Sequence, residues 1–224
     1  MKGFVHLRVH SEYSLADGLL RLDELVVACH DKGMPAVALT DLANLFGMVK
    51  FYNQAVAAGI KPILGADVFL RSDDSQRPYR AALLCQNLNG YRNLSRLLTR
   101  AYSEGQGGGH ACLDKDWLEG NTDGLIALSG GQDGDVGQLL IGSHNDEAYA
   151  AARAWEALFP GRFYVELQRN GRPWQEEYNA RAVGLCRRLK IPLVATHDVR
   201  FLTPEDFEAH EIRVCIHEGR TLAE

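Results

Sequence analysis

The stretch Phe4-Val5-His6-Leu7-Arg8-Val9-His10-Ser11-Glu12-Tyr13-Ser14 decides how the rest of the chain is read. Phe4, His6, Arg8 and His10 alternate with Val5, Leu7 and Val9, the period of two that marks a strand. Successive side chains of a strand point to opposite faces, so His6, Arg8 and His10 share one face. A strand ending in His-Ser-Glu so early in a chain reads as the first wall of an active site. Its middle position, where a metal site takes a second imidazole, holds an arginine.

Outward from that strand, short apolar runs alternate with helical periodicities. Ser14 to Gly18 is a turn. Leu22–Asp31 carries Leu22, Leu25, Val26 and Cys29 on one helical face, and Gly33 and Pro35 end it. Ala36–Leu39 is a buried strand running into Thr40 and Asp41. Asn44 is expected to cap a helix through Ala58, which Gly59 stops. Further strands are predicted at 62–70, 79–84, Leu125–Leu128, Phe163–Leu167 and 193–196. Helices are predicted at 91–101, Asn145–Leu158 and 176–189, and a last one where Thr203 caps Pro204. The glycine-rich 105–110 lacks the Gly-Lys-Ser/Thr ending of a phosphate loop and is read as a flexible linker.

Seven strands alternating with helices specify an α/β protein with a mostly parallel sheet. His10, Asp41, Asp67, Ser129, Gln168, His197 and Asp198 fall at or just beyond strand carboxyl ends, the face at which barrel folds gather their sites. A closed or nearly closed barrel is the first choice. An open doubly wound sheet is second, because no Gly-x-Gly-x-x-Gly opens the first helix.

Composition narrows the function classes. At 224 residues, 46% hydrophobic and 24% charged, the chain is long enough for one sizeable core. It has no apolar run near the ~20 residues of a membrane span and no signal-peptide pattern at Met1. A net charge of -5 argues against nucleic-acid binding by the surface as a whole. Cys29, Cys85, Cys112, Cys186 and Cys215 are widely spaced and form no Cys-x-x-Cys pair. They read as reduced thiols of a cytoplasmic protein, neither zinc knuckle nor disulfide framework.

Histidines and carboxylates gathered at strand ends suggest a multi-metal phosphoesterase, with His10, Asp41, Asp67, His197 and Asp198 as ligands for zinc, manganese or magnesium. The competing reading is structural: strand-end aspartates cap helices, and His197 is a hydrogen-bonded loop residue. His210 and His217 read as helix surface.

A family resemblance adds to this. His6-Leu-Arg-Val-His10-Ser-Glu-Tyr-Ser, Ala38-Leu-Thr-Asp41-Leu-Ala-Asn-Leu-Phe-Gly47 and Lys61-Pro-Ile-Leu-Gly-Ala-Asp67 follow the motifs of the PHP (polymerase and histidinol phosphatase) domain. The version resembled is the one at the amino terminus of bacterial DNA polymerase III alpha subunits. Gly90-Tyr-Arg-Asn-Leu94, Gly124-Leu-Ile-Ala-Leu-Ser-Gly130, Pro192-Leu-Val-Ala-Thr-His-Asp-Val-Arg200, Ala209-His-Glu-Ile-Arg-Val-Cys-Ile-His-Glu-Gly219 and Thr221-Leu222 continue the match along the chain.

The resemblance implies a distorted seven-stranded TIM-like barrel filling 1–224, incomplete at its carboxyl end. It also implies a longer polymerase chain of which this is a part. Metal-binding members gather their ligands at the barrel mouth. Carried over residue by residue, His10, Asp41 and Asp198 remain, and Asp67 stands where glutamate is usual. Arg8, Leu42, Arg80 and Arg200 replace histidine, Gly131 replaces cysteine, and Asn170 replaces histidine. His197 stands where asparagine is usual and is a possible extra ligand.

Leucine, glycine and arginine offer no ligand atom. The expectation is therefore no catalytic residue and no metal in this chain. If any ion binds, it is a single Mn, Zn or Mg at His10, Asp41, Asp67 and Asp198. Removing metals from a pocket that keeps three aspartates crowds carboxylates together, and Arg8, Arg80 and Arg200 bring the compensating charge.

The function this implies is a structural module of a replicative polymerase that docks the proofreading exonuclease subunit. The partners are then the rest of the alpha chain and that subunit, with DNA met only through the full-length enzyme and no membrane. The alternative is a weak metal-dependent phosphoesterase or 3′–5′ exonuclease. A free-standing histidinol-phosphatase-like enzyme is disfavoured by the same missing ligands.

Overall fold

The computed structural model describes residues 3–72 and 77–222. In chain order the strands are β1 (Arg8–Val9), β2 (Ala36–Leu39), β3 (Lys61–Leu70), β4 (Tyr79–Cys85), β5 (Gln106–Gly107), β6 (His110–Leu113), β7 (Leu125–Leu128), β8 (Phe163–Leu167), β9 (Leu193–Ala195) and β10 (Asp198–Val199). The helices are α1 (Leu22–Asp31), α2 (Met48–Ala57), α3 (Leu88–Glu104), α4 (Asp135–Ile141), α5 (Asn145–Leu158), α6 (Gln175–Leu189) and α7 (Phe207–Glu218). They divide between two compact units, Met1–Ala66 with His197–Glu224, and Asp67–Thr196.

In the first unit β1 pairs parallel with β10, Arg8 opposite Asp198, and β2 pairs parallel with the start of β3. Backbone bonds from Ala38 N–H to His6 O (2.8 Å) and from Thr40 N–H to Val9 O (2.9 Å) set β2 beside β1. The core is the apolar stripe of α1 (Leu22, Leu25, Val26, Cys29) packed with Val9, Val37, Leu39, Phe51 and Ile60. Burying each such side chain contributes roughly 1.5–3 kcal/mol, enough to hold β1 in place although only Arg8 and Val9 are paired as strand.

In the second unit the order is β5-β6-β3-β4-β7-β8-β9. The β4–β7 and β5–β6 pairs are antiparallel, and β6–β3, β7–β8 and β8–β9 are parallel. Trp155 of α5 stacks on Phe163 of β8, ring centroids 5.5 Å apart. Asn87 caps α3 by accepting the Gly90 N–H at 3.1 Å.

Several expectations need correction. The described residues hold ten strands rather than seven, and the sheet is mixed rather than mostly parallel. Strand β10, helix α4 and the pair β5–β6 were not predicted, being too short to show a period. The 105–110 segment is no linker: Gln106 faces Ala111 and Gly107 faces His110 in a hairpin. Its two turn residues, Gly108 and Gly109, have φ of 58° and 83°, the backbone a two-residue hairpin turn requires.

Asn44 caps nothing. Its Oδ1 accepts the Phe46 N–H at 3.0 Å in a local turn, and α2 begins four residues later at Met48. Thr203 does cap, in a capping box with Asp206.

Candidate functional site

Each unit builds its own set of polar contacts around the positions singled out in the sequence. In the first unit the Ser11–Gly18 turn does the positioning. Ser14 N–H donates to Ser11 O at 2.9 Å and Gly18 N–H to Ser14 O at 2.8 Å. The turn closes so tightly that a Cβ at Gly18 would lie 1.8 Å from Ser11 O, so only glycine fits. This curl places Ser11, Ser14 and Asp17 beside the end of β1.

Asp41, at the end of β2, is 1% exposed. It accepts the Ser11 N–H at 2.6 Å, the Ser11 hydroxyl at 2.9 and 3.0 Å, and the Ser14 hydroxyl at 2.9 Å. Burial pushes its pKa up, against these bonds and the nearby His10, which pull it down. Leu42, its neighbour, donates its backbone N–H to Ser14 and offers no ligand atom.

His10 is wholly buried, and its Nδ1 lies 2.9 Å from Asp17 Oδ1. A guanidinium nitrogen of Arg200 also reaches Asp17 and the same ring nitrogen. Its second nitrogen donates to Asp198 Oδ2 at 2.8 Å. Arg200 thus ties together His10, Asp17 and Asp198. A guanidinium only donates, so the imidazole either accepts from it or donates its Nδ1–H to Asp17. Arg8, from β1, is 2% exposed, a cation taken almost wholly out of water.

His197 is exposed, and its ring faces His6 edge-on at 6.4 Å. Burial, and secondarily His197, holds the His6 pKa below its ordinary value. Both histidines line a cavity of about 560 Å³ whose other walls include Val9, Cys29, Phe201 and Phe207. That cavity is apolar and lies apart from the Asp41 and Asp17 contacts.

In the second unit Asp67 sits in the middle of β3 rather than at its end, and it is fully buried. Arg80, from β4, forks onto it: Nε donates to Oδ1 at 3.1 Å and Nη2 to Oδ2 at 2.6 Å. The guanidinium also rests 5.0 Å from the Phe69 ring centroid.

Gly130 and Gly131 follow β7 with φ of 78° and 61°. A Cβ on Gly130 would lie 2.0 Å from Arg80 O. The buried carboxylate of Glu166 holds this loop, accepting the Gly130 N–H at 2.5 Å and the Thr196 hydroxyl at 2.8 Å. Asn170 is exposed and bonded to Gln175, its Oδ1 accepting from Nε2 at 2.5 Å.

Residue types alone missed Asp17, Ser11, Ser14 and Glu166. Asp17 and the serines looked like ordinary turn residues. A charged residue inside Phe-Tyr-Val-Glu-Leu was the one signal for Glu166.

Asp67 and Asp198 each accept from a guanidinium group, Asp41 accepts from the Ser11 amide and from the Ser11 and Ser14 hydroxyls, and Gly131 and Leu42 bring no side-chain ligand.

A family model for the PHP domain matches residues 6–170. The DNA polymerase III subunit alpha of Pseudomonas aeruginosa is 51% identical over 220 residues, covering 98% of this chain and 19% of that protein. That of Escherichia coli K12 is 46% identical with the same coverage, so the chain spans 19% of the length of these curated relatives. Among solved structures, an amidohydrolase from Chromobacterium violaceum superposes with a TM-score of 0.61 at 14% identity, over 94% of this chain and 97% of that one. A candidate metal-dependent phosphoesterase from Bifidobacterium adolescentis gives 0.53 at 11%, over 93% and 96%. At such identities the two structures speak for the α/β fold, and the family model, which covers most of the chain, shows that the chain belongs to the PHP domain family.

Proposed function

We propose that this chain is the PHP module of a replicative DNA polymerase III alpha subunit in which guanidinium groups have taken the place of metal ions. Its task is structural: supporting the polymerase chain and docking the proofreading exonuclease subunit. Polymerisation itself belongs to the rest of the longer protein. The observation that carries the reading is the Arg80 fork on Asp67, which occupies both oxygens of a carboxylate expected to be a ligand. The distorted barrel expected of the family goes with this reading, supported by the parallel pairs β1–β10 and β2–β3.

Docking is supported by the outer face of α2, where Val49, Tyr52 and Val56 are 63, 48 and 53% exposed at helical spacing. Val49→Asp combined with Val56→Asp is expected to weaken capture of the exonuclease subunit without unfolding the chain.

The test of the degraded site is metal content after dialysis against zinc or manganese, read with a phosphoester hydrolysis assay. Far less than one ion per chain and no hydrolysis are expected. Stoichiometric metal, with hydrolysis abolished by His10→Ala or Asp198→Asn, overturns the proposal. It would favour the second reading, a weak metal-dependent phosphoesterase. That reading draws on Asp17, because a carboxylate behind an imidazole is the usual partner of a metal-bound histidine.

A further inference from the structure

Helix α3 carries arginine at every fourth position: Arg92, Arg96 and Arg100. Its opposite face is buried through Asn93, Leu94, Leu97, Leu98 and Ala101, so the three arginines are pushed outward together, and all three are exposed. Residues four apart form one ridge of a helix and rise about 6 Å per step. That is close to the separation of neighbouring phosphates along one nucleic-acid strand. The helix holds three arginines and one acid, Glu104, a local charge of +2 on a chain whose net charge is -5.

The neighbouring contacts leave this row available. Arg96 makes one long contact, to Asn93 Oδ1 at 3.5 Å, and among the described residues Arg92 has no ion-pair partner. Arg100 Nε donates to Glu104 at 2.8 Å, and its guanidinium carbon lies 4.1 Å from the Trp117 ring centroid. A cation held on an indole is pre-organised, and Arg100 remains exposed. Asp123 Oδ2 accepts from Asn89 at 3.5 Å at the start of the helix.

We infer that the Arg92–Arg96–Arg100 row of α3 is a binding surface for the phosphate backbone of DNA. A basic ridge on an acidic protein gives a directed electrostatic surface rather than a general affinity for polyanions. This departs from the expectation that DNA is met only through other parts of the longer enzyme. It rests on the polymerase reading only for the choice of DNA as the polyanion. No residue of the Arg80 or Arg200 contacts takes part.

The experiment is fluorescence anisotropy of the 224-residue chain with a labelled duplex and with a labelled single strand of the same length, across a salt series. Three phosphate contacts give a slope of log affinity against log salt of about -2.7 on duplex and about -2 on single strand. Arg96→Gln is expected to shrink the duplex slope by about 0.9, and Arg96→Lys to keep it. The triple glutamine variant should lose the slope altogether while retaining its circular dichroism spectrum.

Absence of DNA binding by the unaltered chain, or a slope the triple variant leaves unchanged, overturns the inference. So does tighter binding of a glutamate-rich peptide at this row, which would make it a protein-docking face. Metal-dependent hydrolysis by the chain would sink the proposed structural function and leave this surface standing.

Discussion

Arg80 grips both carboxylate oxygens of Asp67, Nε on Oδ1 and Nη2 on Oδ2, at 3.1 and 2.6 Å. Asp67 is completely buried and the arginine side chain only 16% exposed, so two charges have left water together. Such a pair is costly to form but far costlier to break on one side. Arg80→Ala should therefore lower unfolding stability by ~3–5 kcal/mol. Arg80→Met with Asp67→Leu, which leaves no orphaned charge, should recover most of that loss. Urea denaturation of the three proteins checks this, and a double variant as unstable as the single one would refute it.

Arg200 holds Asp17 and Asp198 at once, with its side chain 13% exposed. Arg200→Ala is expected to cost ~3 kcal/mol, the lower end for a broken buried pair, since Asp17 and Asp198 keep some solvent. Asp17→Asn should cost less, about 1–2 kcal/mol, because an amide oxygen still accepts one bond. If the two losses add in the double variant, the residues are not coupled as the geometry requires.

Acid sensitivity should come partly from His6 and His210. Burial lowers the pKa of both from 6.5, aided by His197 for His6 and by Arg200 for His210; Asp17 and Asp198 oppose the shift at His210. As pH falls through that ordinary value the unfolded chain takes up these protons before the folded chain does. Stability is therefore complete above that value and falls below it. His6→Gln and His210→Gln should each flatten this fall, measured as unfolding midpoint against pH. An unchanged slope in the double variant would count against the mechanism.

Restoring cysteine at Gly131 should not rebuild a ligand. The backbone there has φ 61°, and a Cβ would sit 3.3 Å from Gln168 Oε1. Gly131→Cys should destabilise the chain by about 1–2 kcal/mol, the cost of a side chain in the left-handed region. Zinc titration of that variant should show no gain; a gain would mean that the loop adapts.

The thiols of the buried Cys186 and the half-buried Cys85 should be slow to react. Burial pushes Cys85 up to about 11 and Cys186 up to about 12. The thiolate is the nucleophile, so iodoacetamide at neutral pH should label these positions only as the chain unfolds. Rapid native-state labelling of Cys186, followed by peptide mass spectrometry, would contradict this.

Much of the fold was legible without coordinates, because periodicity is local. The apolar spacing of Leu22–Asp31, Asn145–Leu158 and Phe163–Leu167 marks those elements to the residue. The family motifs, and the arginines, leucine and glycine standing at the positions of expected ligands, are likewise properties of the sequence. What the sequence leaves open is decided between distant segments. Strand β10 has two residues and exists because Asp198 and Val199 meet Arg8 and Val9, some 190 positions away. The 105–110 hairpin forms because its second strand finds Phe69 and Leu70.

At the site, sequence supplied the charges and tertiary structure chose the partners. Nothing local says that Asp17 belongs with Arg200, or that Arg80 turns toward Asp67 and away from water. A buried cation settles wherever a buried anion can neutralise it, and only the folded chain brings the two within reach.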